Sequence, residues 1–339
     1  MHRPVKRLSK TLNIQSSPHL HSQARVDKMM LHVVLALLPT VGFAIYAFGW
    51  AALFVLVSAI LSCLLTEHLL CQFSKQTTTV SDGSAVVTGL IYGLTLPPGL
   101  ALWMVVLGGM IAIGLGKFIF GGLGCNPFNP ALVGRAFLQA TFPLAMTSWI
   151  TAFHADRFTT LPASTLAFPF TTPNYDQLSG ATPLAAYKFD HVATDTMDLA
   201  FGLTTGSVGE SCAVLILLGG IYLIWRKMMN WRIPAGIFLA VLLLSGLFHW
   251  LDPVRYPSPI FMLFSGGLML GAMFMATDMV SAPITAWGCF VYGLFIGILV
   301  VVIRLWAGMP EGVMYAILLG NAVAPYIDRL IQPRAYGKP

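Results

Sequence analysis

One threonine stands out by its setting. Ser179-Gly180-Ala181-Thr182-Pro183-Leu184 is a short turn in the longest hydrophilic stretch of an otherwise apolar chain. Gly180 frees the backbone ahead of the hydroxyl, and Pro183 fixes it just after. The sequence therefore predicts an exposed, rigidly presented Thr182 side chain, a good point for covalent attachment through a phosphoester. The competing reading is an ordinary Thr-Pro turn, with Ser179, Gly180 and Ala181 serving the turn alone. Arg135 is the second residue of interest. A guanidinium inside an apolar run is costly in lipid, so it faces the bundle or a phosphate. Asp278 is the third. It follows Thr277 and precedes Ser281 and Pro283 where an apolar run breaks. Asp, Thr and freed carbonyl oxygens suit a small hard cation; capping of a helix end or a salt link is the alternative. Asn126 and Asn129, in a second Gly- and Pro-broken stretch, are candidate partners for the same cation path.

Other ionisable groups have plainer readings. Glu67 and His68 lie about one turn from the end of an apolar run and can reach the interface. Asp82, ahead of Gly83 and Ser84, reads as a helix cap. Asp328 and Arg329 close the last run, and Lys117 lies in another. No phosphate-binding glycine loop, dinucleotide fingerprint, zinc or haem spacing or nucleophile elbow is present. Binding of NADH or nucleoside triphosphates by this chain alone is not expected, nor is nucleic acid.

These residues must be held by membrane elements. The 339 residues are 57% hydrophobic and 9% charged, against about 25% charged in soluble domains. Mean hydropathy is +0.77. Ten apolar runs recur, at 29–48, 51–71, 83–97, 101–118, 130–150, 212–225, 233–250, 260–275, 284–306 and 312–331. The third, sixth and eighth are short for a crossing of roughly 20 residues and are expected to be extended or broken helices. If the basic N-terminal segment is cytoplasmic and sides alternate, Arg157, Lys188, Arg255 and Arg304 fall outside. The other 15 of the 19 basic residues, Arg135 among them, fall inside. The net charge of +6 is thus a topology signal, placing both termini in the cytoplasm and the 151–211 loop outside. All eight Trp lie near the ends of runs, as interfacial indoles do. The N-terminus lacks the short apolar core and cleavage site of a signal peptide. The five Cys are scattered and read as small buried apolar residues, with Cys125 near the midplane less certain.

The outer loop divides ten runs into five and five. An odd-numbered repeat must be inverted across the membrane. Weak internal matches support one: Gly89 and Thr95 against Gly271 and Thr277, and Asn126 and Pro130 against Asn321 and Pro325. Inverted repeats with broken helices place their sites near the pseudo-twofold axis. The pairs Gly267/Gly271 and Gly293/Gly297 are explained by close helix packing. The expected fold is an all-α polytopic membrane protein of about ten transmembrane helices. Its parts are a basic segment (1–28), a first repeat (29–150), the loop (151–211), a second repeat (212–331) and a tail (332–339).

The string Gly121-Gly122-Leu123-Gly124-x-Asn126-Pro127-Phe128-Asn129-Pro130-Ala131 is specific, and Met146-Thr147-Ser148-Trp149, Ser179-Gly180-Ala181-Thr182-Pro183-Leu184 and Thr277-Asp278 accompany it. Together, across essentially the whole chain, they resemble the D subunits of Rnf-type ion-translocating electron-transport complexes. That family is related to the B subunits of the sodium-translocating NADH:quinone reductases. The shorter N-terminal segment leads to the Rnf branch as the expectation. Cys125 stands where relatives carry other residues, and no redox role is read from it.

The resemblance implies a urea-transporter-like fold with an inverted repeat and FMN esterified through its phosphate to Thr182 by a separate flavin transferase. It implies partnership with the A, B, C, E and G subunits in the bacterial inner membrane, with the loop periplasmic. The complex would couple electron transfer between NADH and ferredoxin to Na+ or H+ translocation, this chain being inactive alone. Two rivals stay open: a non-redox transporter or channel of similar fold, and a structural anchor for soluble partners.

Overall fold

A computed structural model describes residues 25–75, 78–169, 171, 180–192, 194–210 and 212–333. Ser179 lies outside the described residues, as do the basic residues of the segment before position 25, Arg334 and Lys338. The first half of the chain forms α1 (Val26–Phe48), α2 (Trp50–Phe73), α3 (Ser84–Leu94), α4 (Leu102–Ile113, continued by a π turn at Gly114–Phe118), α5 (Pro130–Thr141) and α6 (Pro143–Thr147). The loop contributes α7 (Pro183–Asp190) and α8 (Thr196–Phe201). The second half forms α9 (Ala213–Trp225), α10 (Arg232–Leu251), α11 (Pro259–Phe264), α12 (Leu268–Leu270, continued by a π turn at Gly271–Met275), α13 (Ala286–Trp306) and α14 (Val313–Leu330).

Local chemistry sets where several of these begin. Pro130, Pro183 and Pro259 occupy first turns, where a missing N–H costs nothing. The residue before each, Asn129, Thr182 and Ser258, caps the helix through its side-chain oxygen. Asp82 holds the start of α3 by accepting from the Ser84 amide at 2.7 Å.

Among the described residues, four helices, α1, α2, α10 and α13, are long and apolar enough to cross a membrane. The outer face of α2 exposes Phe54, Val57, Leu61, Leu65 and Leu69 in a continuous stripe. Such a stripe is unstable in water and suits lipid or a membrane partner. The chain is a membrane protein whose described residues form helices and no strands. Trp50 opens α2, Trp225 ends α9 and Trp306 ends α13, as interfacial anchors would.

The two halves pack in parallel ways. α2 lies on α3 and α4, and α4 on α5; α10 lies on α11 and α13, and α13 on α14. α1 meets α9, and α5 meets α14, so the halves join along both seams. Gly297 makes one close approach possible: a Cβ there would stand 2.6 Å from the Ile237 carbonyl oxygen. The 151–169 stretch covers one end of the first half, where Phe153 N–H reaches Ala47 O at 2.9 Å and Leu102 N–H reaches Thr165 O at 3.1 Å.

Several expectations need correction. The run at 130–150 is not one helix: α5 ends at Thr141, and Pro143, which cannot donate a backbone N–H, opens α6. The run at 260–275, one of those expected to be extended or broken, is broken at Ser265-Gly266-Gly267, with Gly266 at φ +63°. Gly267 therefore lies in a helix break and not on a packed helical face. The Asn126/Asn321 match has no shared local structure, because α5 starts after Asn126 whereas Asn321 lies within α14. The Thr95/Thr277 match does share one: each hydroxyl donates back to a carbonyl at a helix end, Tyr92 O at 2.7 Å and Met273 O at 2.6 Å. Cys63, Cys71, Cys212 and Cys289 are buried, and Cys125 is exposed.

Candidate functional site

Thr182 is not exposed as its turn suggested. It is 9% accessible and lines a cavity of about 90 Å³ together with Arg135, Trp149, Glu210, Glu311 and Tyr315. Its Oγ1 accepts from the Ala185 amide at 3.3 Å, so the hydroxyl sits at the N-terminus of α7. Gly180 N–H donates to Trp149 O at 2.8 Å, tying the turn to the segment after α6. Ala181 is exposed beside it. Free amides and the helix dipole favour an anion at such a terminus.

Arg135, Glu210 and Glu311 bring charge to this cavity from distant parts of the chain. Arg135, on α5 and 8% exposed, donates from Nη2 to Glu311 Oε2 at 3.0 Å, while its Nε has no partner. Glu311, between α13 and α14, also accepts from the Gly267 amide at 2.7 Å. The break in the eighth run thus supplies a backbone donor. A Cβ at Gly267 would stand 2.7 Å from Glu311 Oε1 and 3.7 Å from Glu210 Oε1, so both carboxyl groups converge on this glycine. Arg304 anchors the break from α13 by donating to Met262 O at 2.6 Å and Ser265 O at 2.8 Å.

The two carboxyl groups are driven apart in acidity. Burial, reinforced by the Glu311 charge, pushes the Glu210 carboxyl up to about 7. Burial acts to raise Glu311 too, but Arg135 and Arg304 outweigh it and hold Glu311 below its ordinary range. Near neutral pH Glu210 is therefore only partly ionised, while the Glu311 carboxylate is matched by Arg135 and Arg304.

α7 itself is pinned in place. Lys188 donates to the carbonyl oxygens of Arg304 at 2.9 Å, Met309 at 3.0 Å and Ala307. These are the free carbonyls at and beyond the end of α13.

A second cavity, of about 110 Å³, opens at the other end of the bundle, lined by Ser84, Lys117, Asn126, Asn129, Thr277 and Asp278 among others. Asn126 Nδ2 donates to Phe128 O at 3.1 Å and to Asp278 Oδ2 at 3.4 Å. Ser281 Oγ donates to the same carboxylate oxygen at 3.2 Å. Asn129 Nδ2 donates across the halves to Met275 O at 3.1 Å. The predicted trio of Asn126, Asn129 and Asp278 is therefore brought together. Among the described residues, no group of three or more His, Cys, Asp and Glu side chains is arranged to hold a metal.

The sequence placed Arg135 with the basic residues of the N-terminal side. Its guanidinium instead meets Glu311 at the Thr182 end, because α5 carries it inward from Asn129. The sequence also placed Glu67 at the interface. It is 2% exposed and accepts from Lys117 Nζ through both oxygens at 2.8 Å, with Lys117 itself 3% exposed. Ser84 accepts from the same ammonium at 2.6 Å, and Thr79 Oγ1 donates to Glu67 at 2.5 Å. Glu210 and Glu311 were missed altogether. Both lie in loops, where a carboxylate looks solvated; only Gly209 before Glu210 and the Pro310 and Gly312 that flank Glu311 could have marked them.

Comparison with known proteins gives a consistent picture. Residues 13–337 match the model of the NQR2, RnfD, RnfE family. The chain is 41% identical to the D subunit of the ion-translocating oxidoreductase complex of Alcanivorax borkumensis, over 96% of this chain and 97% of that one. It is 39% identical to the D subunit of the proton-translocating ferredoxin:NAD(+) oxidoreductase complex of Clostridium ljungdahlii, over 96% of each chain. It is also 39% identical to the D subunit of the Na(+)-translocating ferredoxin:NAD(+) oxidoreductase complex of Acetobacterium woodii, over 96% of this chain and 95% of that one.

Proposed function

The chain belongs to the NQR2, RnfD, RnfE family, and on that premise we propose that it is the D-type membrane subunit of an ion-translocating oxidoreductase complex carrying FMN as a phosphoester on Thr182. In this reading the complex couples electron transfer between NADH and ferredoxin to Na+ or H+ movement. The chain supplies a redox site within it and has no activity alone. Whole-length similarity to D subunits favours this over a B subunit of the quinone-reductase type or a transporter without a redox centre.

One observation carries the cofactor reading: Thr182 Oγ1 and a buried Arg135 with an unpartnered Nε line one cavity. The residues fit the group. A phosphodiester on Thr182 carries one negative charge, and the Arg135 guanidinium lines the same cavity. The cavity's volume of about 90 Å³ suits the phosphate and not a tricyclic ring as well. Arg135 would hold the phosphate oxygens, Glu311 would orient Arg135, and α7 would add its N-terminal field. FMN, when bound, supplies the electron chemistry.

The wider arrangement is part of the same proposal. Ten spans form two five-helix repeats of opposite orientation in a urea-transporter-like fold, the short α3, α9 and α11–α12 serving as broken or partial crossings. Both termini are cytoplasmic in the inner membrane, and the Thr182 loop is periplasmic. The A, B, C, E and G subunits and a flavin transferase are the expected partners. Asp278, with Asn126 and Asn129, marks the entrance of a cation path on the cytoplasmic side.

The test is direct. The chain from a host with the transferase is run on a denaturing gel, and the peptide containing Thr182 is weighed. A fluorescent band and a peptide heavier by one FMN less water support the reading. A dark band and an unmodified peptide reject it in favour of a non-redox transporter. Electron transfer that survives Thr182→Ala would reduce the chain to a structural anchor.

A further inference from the structure

Of the three charged residues that line the Thr182 cavity, Arg135 and Glu311 are paired with one another and Glu210 is not. Glu210 stands on a turn bolted to the end of α3. The amides of Val208 and Gly209 donate there to Leu96 O at 3.0 Å and Leu94 O at 2.6 Å. A Cβ at Gly206 would stand 2.7 Å from Glu210 Oε2, so the carboxyl lies against its own turn and glycine makes room for it. Its other oxygen, Oε1, is buried with no hydrogen-bond partner among the described residues. A buried carboxylate oxygen that lacks a donor is costly, and a bound proton removes the charge that makes it so. Charged groups act on Glu210 from three elements: Glu311 from the α13–α14 connection, Arg135 from α5 and Arg304 from α13. Tyr315 of α14 lines the same cavity, and the Ser207 hydroxyl acts on the carboxyl from its own turn.

We infer that Glu210 is a redox-linked proton site: it takes a proton from the medium through the Thr182 cavity when an electron reaches the group carried there, and returns it when the electron leaves. The inference rests on the cofactor reading above and adds a proton to the electron. The step balances. The electron comes from the electron transfer of the complex, the proton comes from solvent, and the Glu210 carboxylate becomes a carboxylic acid. Three arguments converge. Glu311 is held as a carboxylate by Arg135 Nη2 at 3.0 Å and the Gly267 amide at 2.7 Å, so a proton taken by the pair goes to Glu210. A metal cation at Glu210 would meet two guanidinium groups, whereas a proton needs one oxygen and no coordination shell. Burial and the Glu311 charge hold the carboxyl at about 7, so a small gain of negative charge nearby is enough to fill it.

The experiment is reduced-minus-oxidised infrared difference spectroscopy on the flavin-loaded complex. Flavin content is measured first, from the mass of the Thr182 peptide, and only samples loaded like the unaltered chain are compared. At about pH 8 most of Glu210 is ionised before the electron arrives, so reduction is expected to raise a protonated-carboxyl carbonyl band that shifts in D2O. The band should be lost in Glu210→Gln, survive at a shifted position in Glu210→Asp, and stay unchanged when Asp156, an exposed carboxylate, becomes Asn. It should shrink severalfold at about pH 5.5, where the carboxyl already holds its proton. The pH profile needs no variant, so it tests the inference even if Glu210→Gln fails to assemble. A loaded complex without the band, or a band that persists in Glu210→Gln, overturns the proton site while leaving the attachment intact. An unmodified Thr182 peptide in the unaltered chain overturns the attachment itself, and the redox linkage with it.

Discussion

Arg135 and Glu311 meet at 3.0 Å although 176 residues separate them in the chain. The contact joins a helix of the first half to the connection between the last two helices of the second. It also places a fixed cation beside the only threonine at the N-terminus of α7. Removing the cation leaves Glu311 short of its main partner in a shielded place. Arg135→Leu is expected to destabilise the detergent-solubilised chain by up to about 3 kcal/mol, the low end for orphaning a buried charge, since the Gly267 amide remains. Arg135→Lys should recover part of that loss. Thermal unfolding checks both, and a Leu variant as stable as the parent would show that the pair carries no weight.

Thr182 combines two roles that substitutions can separate. Thr182→Val deletes the cap of α7, at a cost of about 1 kcal/mol, and also deletes the attachment oxygen. Thr182→Ser keeps the cap and a hydroxyl. The expected pattern is loss of in-gel flavin fluorescence in the first and its retention in the second, with the melting temperature lowered only in the first. Flavin retained on the Val variant would move the attachment elsewhere.

The Glu67–Lys117 pair should behave as a buried ion pair. Lys117→Met alone is expected to cost about 3–5 kcal/mol, because it strands a carboxylate with no cation. The double variant Glu67→Leu/Lys117→Met should regain most of this, since neither charge is then left unpaired. Urea or thermal unfolding of the parent, Glu67→Leu, Lys117→Met and the double variant measures the coupling; additive losses would argue against a direct pair.

Glu210 gives a pH prediction with a definite sign. Its carboxyl is raised to about 7 in the folded chain, so between the ordinary carboxylate range and about 7 the folded state binds more protons than the unfolded one. Stability therefore falls as pH rises through that window. Glu311, held low, has the opposite sign, and its contribution is lost only as pH falls below the ordinary range. Glu210→Gln is expected to flatten the loss between about pH 5 and about pH 8, leaving the variant the more stable protein at the upper end. Equal slopes in parent and variant would assign the dependence to another group.

Asp278 tests the cation path. Asp278→Asn keeps the shape of the side chain, and its contacts to Ser281 and the Val280 amide can be largely reproduced. Assembly of the complex should survive, while ion transport into reconstituted vesicles falls severalfold relative to electron transfer. Transport at the parent rate would remove Asp278 from the path.

The sequence by itself determined the helical membrane class, the role of Asp82 at the start of α3 and the singularity of Thr182. These are local or compositional properties: a hydropathy run, a carboxylate ahead of a helix and a turn motif are legible within a few residues. It also named Asp278, Asn126 and Asn129, which do come together. Only the tertiary structure decided which charges face one another. Glu67 found Lys117, Arg135 found Glu311, and Glu210 was left with its carboxyl raised to about 7, because burial and distance set the energy of a charge and neither is encoded in its neighbours along the chain. The shortness of the eighth run marked it as open to a break, but what the break at Ser265-Gly266-Gly267 serves was hidden for the same reason: the two carboxyl groups that converge on Gly267 come from distant loops.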